Sequence, residues 1–383
     1  MKRILLIGVI LISLLALTIP SYIYLKKTFL KPSITSQNNT SEHRDIEPTP
    51  PEEIILNNMT NEEKVGQLFM FGINGTTLTE ETKLFLTEHN IGGVILYAKN
   101  VSTESQVFTL IQQLQTTNPI PLFISIDQEG GIVARLKWND TLTIAQEDIK
   151  TPQQAYTVAK DRGEILKELG INMNLAPVVE YITDKNSFLY NRVFRGSKDD
   201  VAQKGISSIQ GYQDSGIIAV LKHYPGHANL SPDSHYSLPV VNITAKQWDE
   251  YIQPFSRILK RTNVDGIMVG HIMYPNIDTH PATLSKEIIS NRLTTDLQYE
   301  GLVISDDMGM DALDNQGTIA EVAKQAIEAG NDILIYTTAD TSIQQQVYDY
   351  ILQEVSNGEM NIDEKVLKIL REKITYGIIT TSH

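Results

Sequence analysis

A chain of 383 residues with no cysteine, 41% hydrophobic residues and a formal charge of −14 is neither a disulfide scaffold nor a collagen-like or wholly disordered polymer. Its acidic excess repels phosphate backbones, so no nucleic-acid partner is expected. Lys2, Arg3, Lys26, Lys27 and Lys31 all precede residue 32, which leaves the rest of the chain more acidic still.

The first element is Ile4 to Leu25, 22 residues without a charge, preceded by Met1-Lys2-Arg3. At the helical rise such a stretch spans roughly 33 Å, about the hydrocarbon thickness of a bilayer. It is longer than the apolar region of a cleavable signal, and Thr18-Ile19-Pro20-Ser21 offers no A-x-A cleavage pattern, so an uncleaved anchor is expected, with a cleaved signal peptide as the alternative. Basic residues flank both sides, so charge alone does not set its topology. Asn38 to Pro51 then reads as a tether that stiffens at Pro48, Pro50 and Pro51. The expected organisation is a targeting segment at 1–25, a polar linker at 26–51 and one catalytic domain at 52–383.

From Asn61 onward, short apolar β-prone runs alternate with segments of helical spacing. The strands are expected at Leu68 to Gly72, Gly93 to Tyr97, Leu122 to Ile126, Asn172 to Ala176, Ala219 to Lys222, Gly266 to Gly270, Leu302 to Ser305 and Ile333 to Tyr336. Helices are expected between them, among others at Ser102 to Gln115, Pro152 to Leu169, Thr244 to Leu259 and Thr318 to Ala329, with a terminal one around Ile362 to Tyr376. Eight βα units over about 300 residues predict an α/β fold, a (β/α)8 barrel of the TIM type. A doubly wound open sheet is the rival, but neither G-x-G-x-x-G nor a P-loop follows a strand.

Barrel enzymes carry their chemistry at the C-terminal ends of strands. There the sequence places Asp127-Gln128-Glu129-Gly130-Gly131, Pro177-Val178-Val179-Glu180, Lys222-His223-Tyr224-Pro225-Gly226-His227, His271 and Asp306-Asp307. A carboxylate fixed at a strand end suits nucleophilic attack, and of the last pair Asp306 is expected in the barrel mouth with Asp307 serving the turn. Three of the chain's eight histidines fall between His223 and His235. Their spacing lies in a Pro/Gly loop and H-E-x-x-H is absent, so no metal and no cofactor is expected. In Asp233-Ser234-His235 the carboxylate can orient the imidazole and stabilise its protonated form, as a general acid/base requires.

These motifs resemble glycoside hydrolase family 3, in particular its bacterial β-N-acetylglucosaminidases. The resemblance rests on Lys222-His223-Tyr224-Pro225-Gly226-His227, Asp233-Ser234-His235, Asp127-Gln128-Glu129-Gly130-Gly131, Ala176-Pro177-Val178 and Ser305-Asp306-Asp307-Met308, in order along the chain. It implies Asp306 as nucleophile, His235 as acid/base with Asp233 as its partner, and Asp127, Arg135, Arg192, Lys222 and His223 as sugar-binding residues. It also implies a single-barrel retaining enzyme that removes terminal β-linked N-acetylglucosamine, from peptidoglycan fragments outside the cytoplasmic membrane. Alternatives are a β-glucosidase or β-xylosidase, a phosphorolytic enzyme of the same family, or a catalytically dead wall-binding module. Three positions depart from the pattern: Ile132 where Arg is usual, Ala228 where Gly is usual, and Glu180 where Asp is usual. Trp138 is read as a core or surface residue ahead of a sugar-stacking one.

Overall fold

Eight apolar runs pair in parallel and close on themselves in the computed structural model, which describes residues 49–229 and 237–380. In chain order the strands are β1 (Phe69–Gly72), β2 (Gly93–Leu96), β3 (Phe123–Ile126), β4 (Met173–Asn174), β5 (Ile218–Tyr224), β6 (Gly266–Val269), β7 (Leu302–Asp307) and β8 (Ile333–Tyr336). Each pairs with its sequence neighbours, and β8 returns to β1 through Phe69 opposite Leu334. The runs are uninterrupted apolar stretches because both faces of a barrel strand are covered, by the interior on one side and the helices on the other.

The expected strands are all present, with shifted ends. β4 is the shortest, giving way before Pro177, which has no N–H to continue a ladder. β5 and β7 each run two residues further than the sequence indicates, so Lys222, His223, Asp306 and Asp307 lie within strands.

Helix ends follow local chemistry. Thr151 caps Pro152–Glu168, and Thr318 with Glu321 forms a capping box on Ile319–Ala329, which ends at Gly330 with φ 126°. One expected helix is interrupted: Thr244 to Leu259 divides into Trp248–Tyr251 and Gln253–Leu259. Pro254 explains the break, since it has no N–H and its ring displaces the preceding turn. The last helix, Asp363–Thr375, carries Arg371 to Glu52 on the helix Pro51–Asn58, with Nε 3.1 Å from Oε1.

No helix among the described residues is long and apolar enough to cross a membrane. The apolar stretch from Ile4 to Leu25 lies outside the described residues.

Candidate active site

The barrel mouth holds a pocket of about 340 Å³. Its floor is apolar and comes from even-numbered strands or the residues just beyond them: Ile95 (β2), Leu175 (after β4), Met268 (β6) and Ile335 (β8). Its charged wall comes from the odd-numbered ones, with Asp127 after β3, Lys222 and His223 in β5, and Asp306 and Asp307 at the end of β7. Alternate strands fill alternate layers in such barrels, which is why one ring of side chains seals the interior and the next is free to be polar.

Arg135 reaches the pocket through a small hairpin, Gln128–Gly130 against Val133–Ala134. Its turn needs glycine: Gly130 and Gly131 have φ of 91° and 56°, and a Cβ on Gly130 would lie 1.9 Å from the Ile144 carbonyl oxygen. Gln128 then pins the returning strand. Its Oε1 accepts from the N–H groups of Arg135 and Leu136 at 3.0 and 2.9 Å, and its Nε2 donates to the carbonyls of Leu136 and Leu142. The buried Gln128 amide is thus satisfied on both its oxygen and its nitrogen.

Lys222 is the hub of the charge network. Its Nζ lies 2.6 Å from Asp127 Oδ1 and 2.7 Å from Glu129 Oε1. Arg135 reaches the other Asp127 oxygen at 3.2 Å, and Arg192 grips Glu129 with two parallel bonds of 2.9 and 2.8 Å. The fork geometry suits arginine and makes such a pair directional. Burial works to raise the Asp127 carboxyl, but Lys222 and then Arg135 overcome it and hold the group well below the usual carboxylate range. Glu129 is lowered in the same way, burial being outweighed by Arg192 and Lys222. With two carboxylates shared among three cations, these side chains are stiff hydrogen-bonding fixtures.

Asp306 differs from these carboxylates. It is half-buried in the mouth, and among the described residues its recorded hydrogen bond is the one Oδ1 accepts from the Asp307 N–H at 2.8 Å. Burial again works upward, yet His223, His271 and that N–H together hold its carboxyl below the ordinary value. It is therefore ionised, with Oδ2 unbonded among the described residues. Asp307 accepts from the N–H groups of Gly309 and Thr337, each at 3.0 Å, and from the Thr337 hydroxyl. Both aspartates line the pocket, but Asp307 is tied to its own turn and to Thr337, whereas Asp306 is not.

Of the expected site residues, the structure brings Asp127, Arg135, Arg192, Lys222, His223 and Asp306 into one pocket. Asp233 and His235 lie outside the described residues. Glu129, Tyr97, His227 and His271 were not assigned roles from sequence. Glu129 is a fully buried bridge between Lys222 and Arg192; its only sequence signal was its place in the D-Q-E-G-G run. Tyr97 lines the pocket beneath the Arg135 guanidinium, which sits 5.2 Å from its ring centre. His271 is fully buried, between the Thr283 hydroxyl at 2.7 Å and the Asp307 carbonyl at 2.9 Å. A carbonyl only accepts, so His271 Nε2 carries the proton.

Glu180, the residue that departs from the family pattern, is buried behind this wall. Its Oε1 lies 2.8 Å from His223 Nδ1 and 3.1 Å from His227 Nδ1, and it also receives the backbone N–H groups of both histidines. Glu180, His223 and His227 are also a cluster of potential metal donors, with donor atoms within 4.8 Å of one another. Two backbone and two ring N–H groups already account for that carboxylate. Of the other departures, Ile132 sits at the hairpin tip, 65% exposed, and Ala228 has a left-handed backbone with φ 54°. Trp138 is 37% exposed and does not line the pocket.

Comparisons with known proteins agree with this geometry. The model of the glycosyl hydrolase family 3 N-terminal domain matches residues 60–372. The β-hexosaminidase of Nitrosomonas eutropha is 32% identical over 284 residues, covering 71% of this chain and 81% of that protein. That of Alkalilimnicola ehrlichii is 33% identical, covering 70% and 79%. Among solved structures, a family 3 β-N-acetylglucosaminidase from Paenibacillus superposes with a TM-score of 0.80 at 32% identity, over 85% of this chain and 64% of that one. A β-N-acetylhexosaminidase from Beutenbergia cavernae gives 0.73 at 26% identity, over 83% and 99%.

Proposed function

The chain belongs to glycosyl hydrolase family 3, and from that premise we propose that it hydrolyses terminal, non-reducing β-linked N-acetylglucosamine with retention of configuration. The observation that carries the proposal is Asp306: an ionised carboxylate at the end of a barrel strand, with one oxygen unbonded among the described residues, facing a pocket in which Asp127, Arg135, Arg192 and Lys222 are held in ion pairs. A volume of about 340 Å³ is at the small end for ligand sites and suits one sugar ring, as an enzyme removing single terminal residues requires.

In this reading Asp306 attacks the anomeric carbon as the glycosidic bond breaks, while His235, protonated and oriented by Asp233, donates a proton to the departing oxygen. Water then attacks the glycosyl-enzyme, losing its proton to the now neutral His235 and freeing Asp306. Asp127, Arg135, Arg192, Lys222 and His223 orient the sugar through its hydroxyls and amide. Because their geometry is set before substrate arrives, binding is converted into alignment. The lowered Asp306 carboxyl puts the acid limb of kcat/KM below the pH at which an ordinary carboxylate would protonate.

The test is release of the aglycone from an aryl β-N-acetylglucosaminide in a panel that includes glucosides and xylosides, with and without phosphate. Preference for the glucosaminide, and independence from phosphate, support the reading; turnover of glucosides alone overturns it. The proposed substrates are peptidoglycan-derived, and the proposed setting is the outer side of the cytoplasmic membrane, which rests on residues 4–25. Recovery of the full chain in a cytosolic fraction would overturn that setting.

A further inference from the structure

The two histidines behind Asp306 share one carboxylate, and that sharing determines where their protons lie. Glu180 is met by four N–H directions: the backbone N–H groups of His223 and His227 and the Nδ1 atoms of both rings. A protonated carboxyl has only one proton to give and could not face all four. The carboxylate is therefore ionised, accepts from every one of them, and requires Nδ1–H on both rings. Burial works to raise the Glu180 carboxyl, and His227 and His223 overcome it and hold it well below the usual range.

The consequence falls on the opposite ring nitrogens. A neutral imidazole protonated at Nδ1 has a bare lone pair at Nε2. His223 stays neutral because burial, opposed by the Glu180 hydrogen bond, leaves its ring below the usual histidine value. Its ring lines the pocket, and its Nε2 has no partner among the described residues. The His227 Nε2 is enclosed and unpartnered, and the two rings meet edge to face at 5.1 Å. His271, which follows the strand between those of His223 and Asp306, is held in the opposite tautomer by the Asp307 carbonyl. The two imidazoles that line the pocket, His223 and His227, therefore have their Nδ1 protons fixed by Glu180, which lies outside the pocket lining.

We propose that Glu180 is a positioning residue that acts through His223: by holding Nδ1–H on both rings it makes His223 Nε2 an acceptor, so that this wall recognises a sugar hydroxyl as a donor. The assignment rests on the sugar-binding reading of the pocket, but its structural half does not. One Oε1 serves both rings, His223 from strand β5 and His227 from the segment that follows it.

The test has a spectroscopic arm and a kinetic one. In the full chain with ¹⁵N-labelled histidine, ring nitrogen shifts are expected to show Nδ1–H for His223 and His227, with assignments made by His223→Asn. A bare Nδ1 on either ring, or an imidazolium at His223, at neutral pH overturns the proposal. Glu180→Gln offers its amide N–H to Nδ1 and should move the proton to Nε2. Its KM for an aryl β-N-acetylglucosaminide is expected to rise about 10- to 100-fold, the loss typical when a carboxylate orienting an imidazole is removed. Glu180→Asp, which keeps an ionised acceptor, should recover most of it. A folded Glu180→Gln protein with unchanged KM and kcat overturns the proposal. If that variant does not fold, the wild-type tautomers decide alone. If the wild-type tautomers are as expected but no glucosaminide is turned over, the substrate reading fails and the positioning role stands.

Discussion

The barrel accommodates two buried lysines, Lys222 at its C-terminal mouth and Lys373 at its N-terminal end, in opposite ways. At the C-terminal mouth, Lys222, Arg135 and Arg192 are matched against Asp127 and Glu129 at 2.6 to 3.2 Å. At the N-terminal end, Lys373 reaches in from the terminal helix and is fully buried with no carboxylate beside it. Its Nζ lies 2.7 Å from Gln67 Oε1 and 2.9 Å from the Gly92 carbonyl, with the Phe123 ring 4.9 Å away. Burial pushes its ammonium down to about 7. The mouth keeps its charges by pairing them, and the base accommodates its amine by weakening its hold on the proton. A sugar site needs fixed charges, whereas a plug needs only to fill space and satisfy two carbonyl oxygens.

The largest separation between the ends should come from Asp306→Asn. It removes the proposed nucleophile, the mouth carboxylate with an oxygen unbonded among the described residues, so turnover of an aryl β-N-acetylglucosaminide should fall by more than about 10³-fold. Thermal stability should be nearly unchanged, because no ion pair is broken. Full activity in that variant would end the nucleophile assignment.

Lys222→Met should act on both properties. It leaves Asp127 and Glu129 buried against each other with only the two arginines, and breaking a buried pair typically costs about 3–5 kcal/mol. Denaturant unfolding is expected to show that loss, together with a fall in kcat/KM of roughly 10²-fold from lost orientation. If stability is unaffected, the network is not the stiff fixture inferred from its distances.

The base responds to pH. Lys373 titrates near 7 when folded and near 10.4 when unfolded, so between those values the unfolded chain binds the extra proton. Stability from this group therefore rises with pH from about 7 to about 10, and is at its minimum below pH 7, where both states are charged. Lys373→Met should flatten that slope, with activity at the mouth unaltered. Parallel stability curves for the two proteins would show that Lys373 keeps an ordinary pKa.

This contrast also marks what was legible in sequence. Strands covered on both faces leave unbroken apolar runs, so all eight were visible, and the polar residues at their ends pointed to Asp127, Lys222, His223 and Asp306. Arg135 and Arg192 came from motif resemblance, since a hairpin and a loop carry them to the pocket and neither has a strand-end position. Lys373 was not read: it falls in the i, i+3, i+4, i+7 register of the buried Val366, Ile369 and Leu370, but a lysine there looks like a gap in the apolar stripe, and only the fold shows its amine reaching the Gly92 carbonyl. Glu129 and Glu180 were seen as motif letters, but their partners lie 43 to 93 positions away, beyond the reach of local pattern. The break at Pro254 was written in the sequence and overridden by the apolar spacing on either side.

The smallest expected effect is at Ala228, where the mouth carries a strain that the family pattern avoids with glycine. Its φ of 54° brings Cβ close to the following carbonyl, which costs an L-residue about 1–2 kcal/mol. Two neighbours hold it there. Tyr251 and Tyr274 both donate to the Gly226 carbonyl, and Asn229 Oδ1 accepts from the N–H groups of Thr183 and Asp184 at 2.7 and 2.9 Å. Ala228→Gly removes the steric cost but gives the unfolded chain more freedom, so these terms partly cancel. The net expectation is a gain of about 0.5–1 kcal/mol, read as a small rise in the denaturant midpoint at constant m. A destabilised Ala228→Gly protein would mean that the left-handed turn is not strained in solution, and that the anchoring by Tyr251, Tyr274 and Asn229 does not hold it in the geometry described.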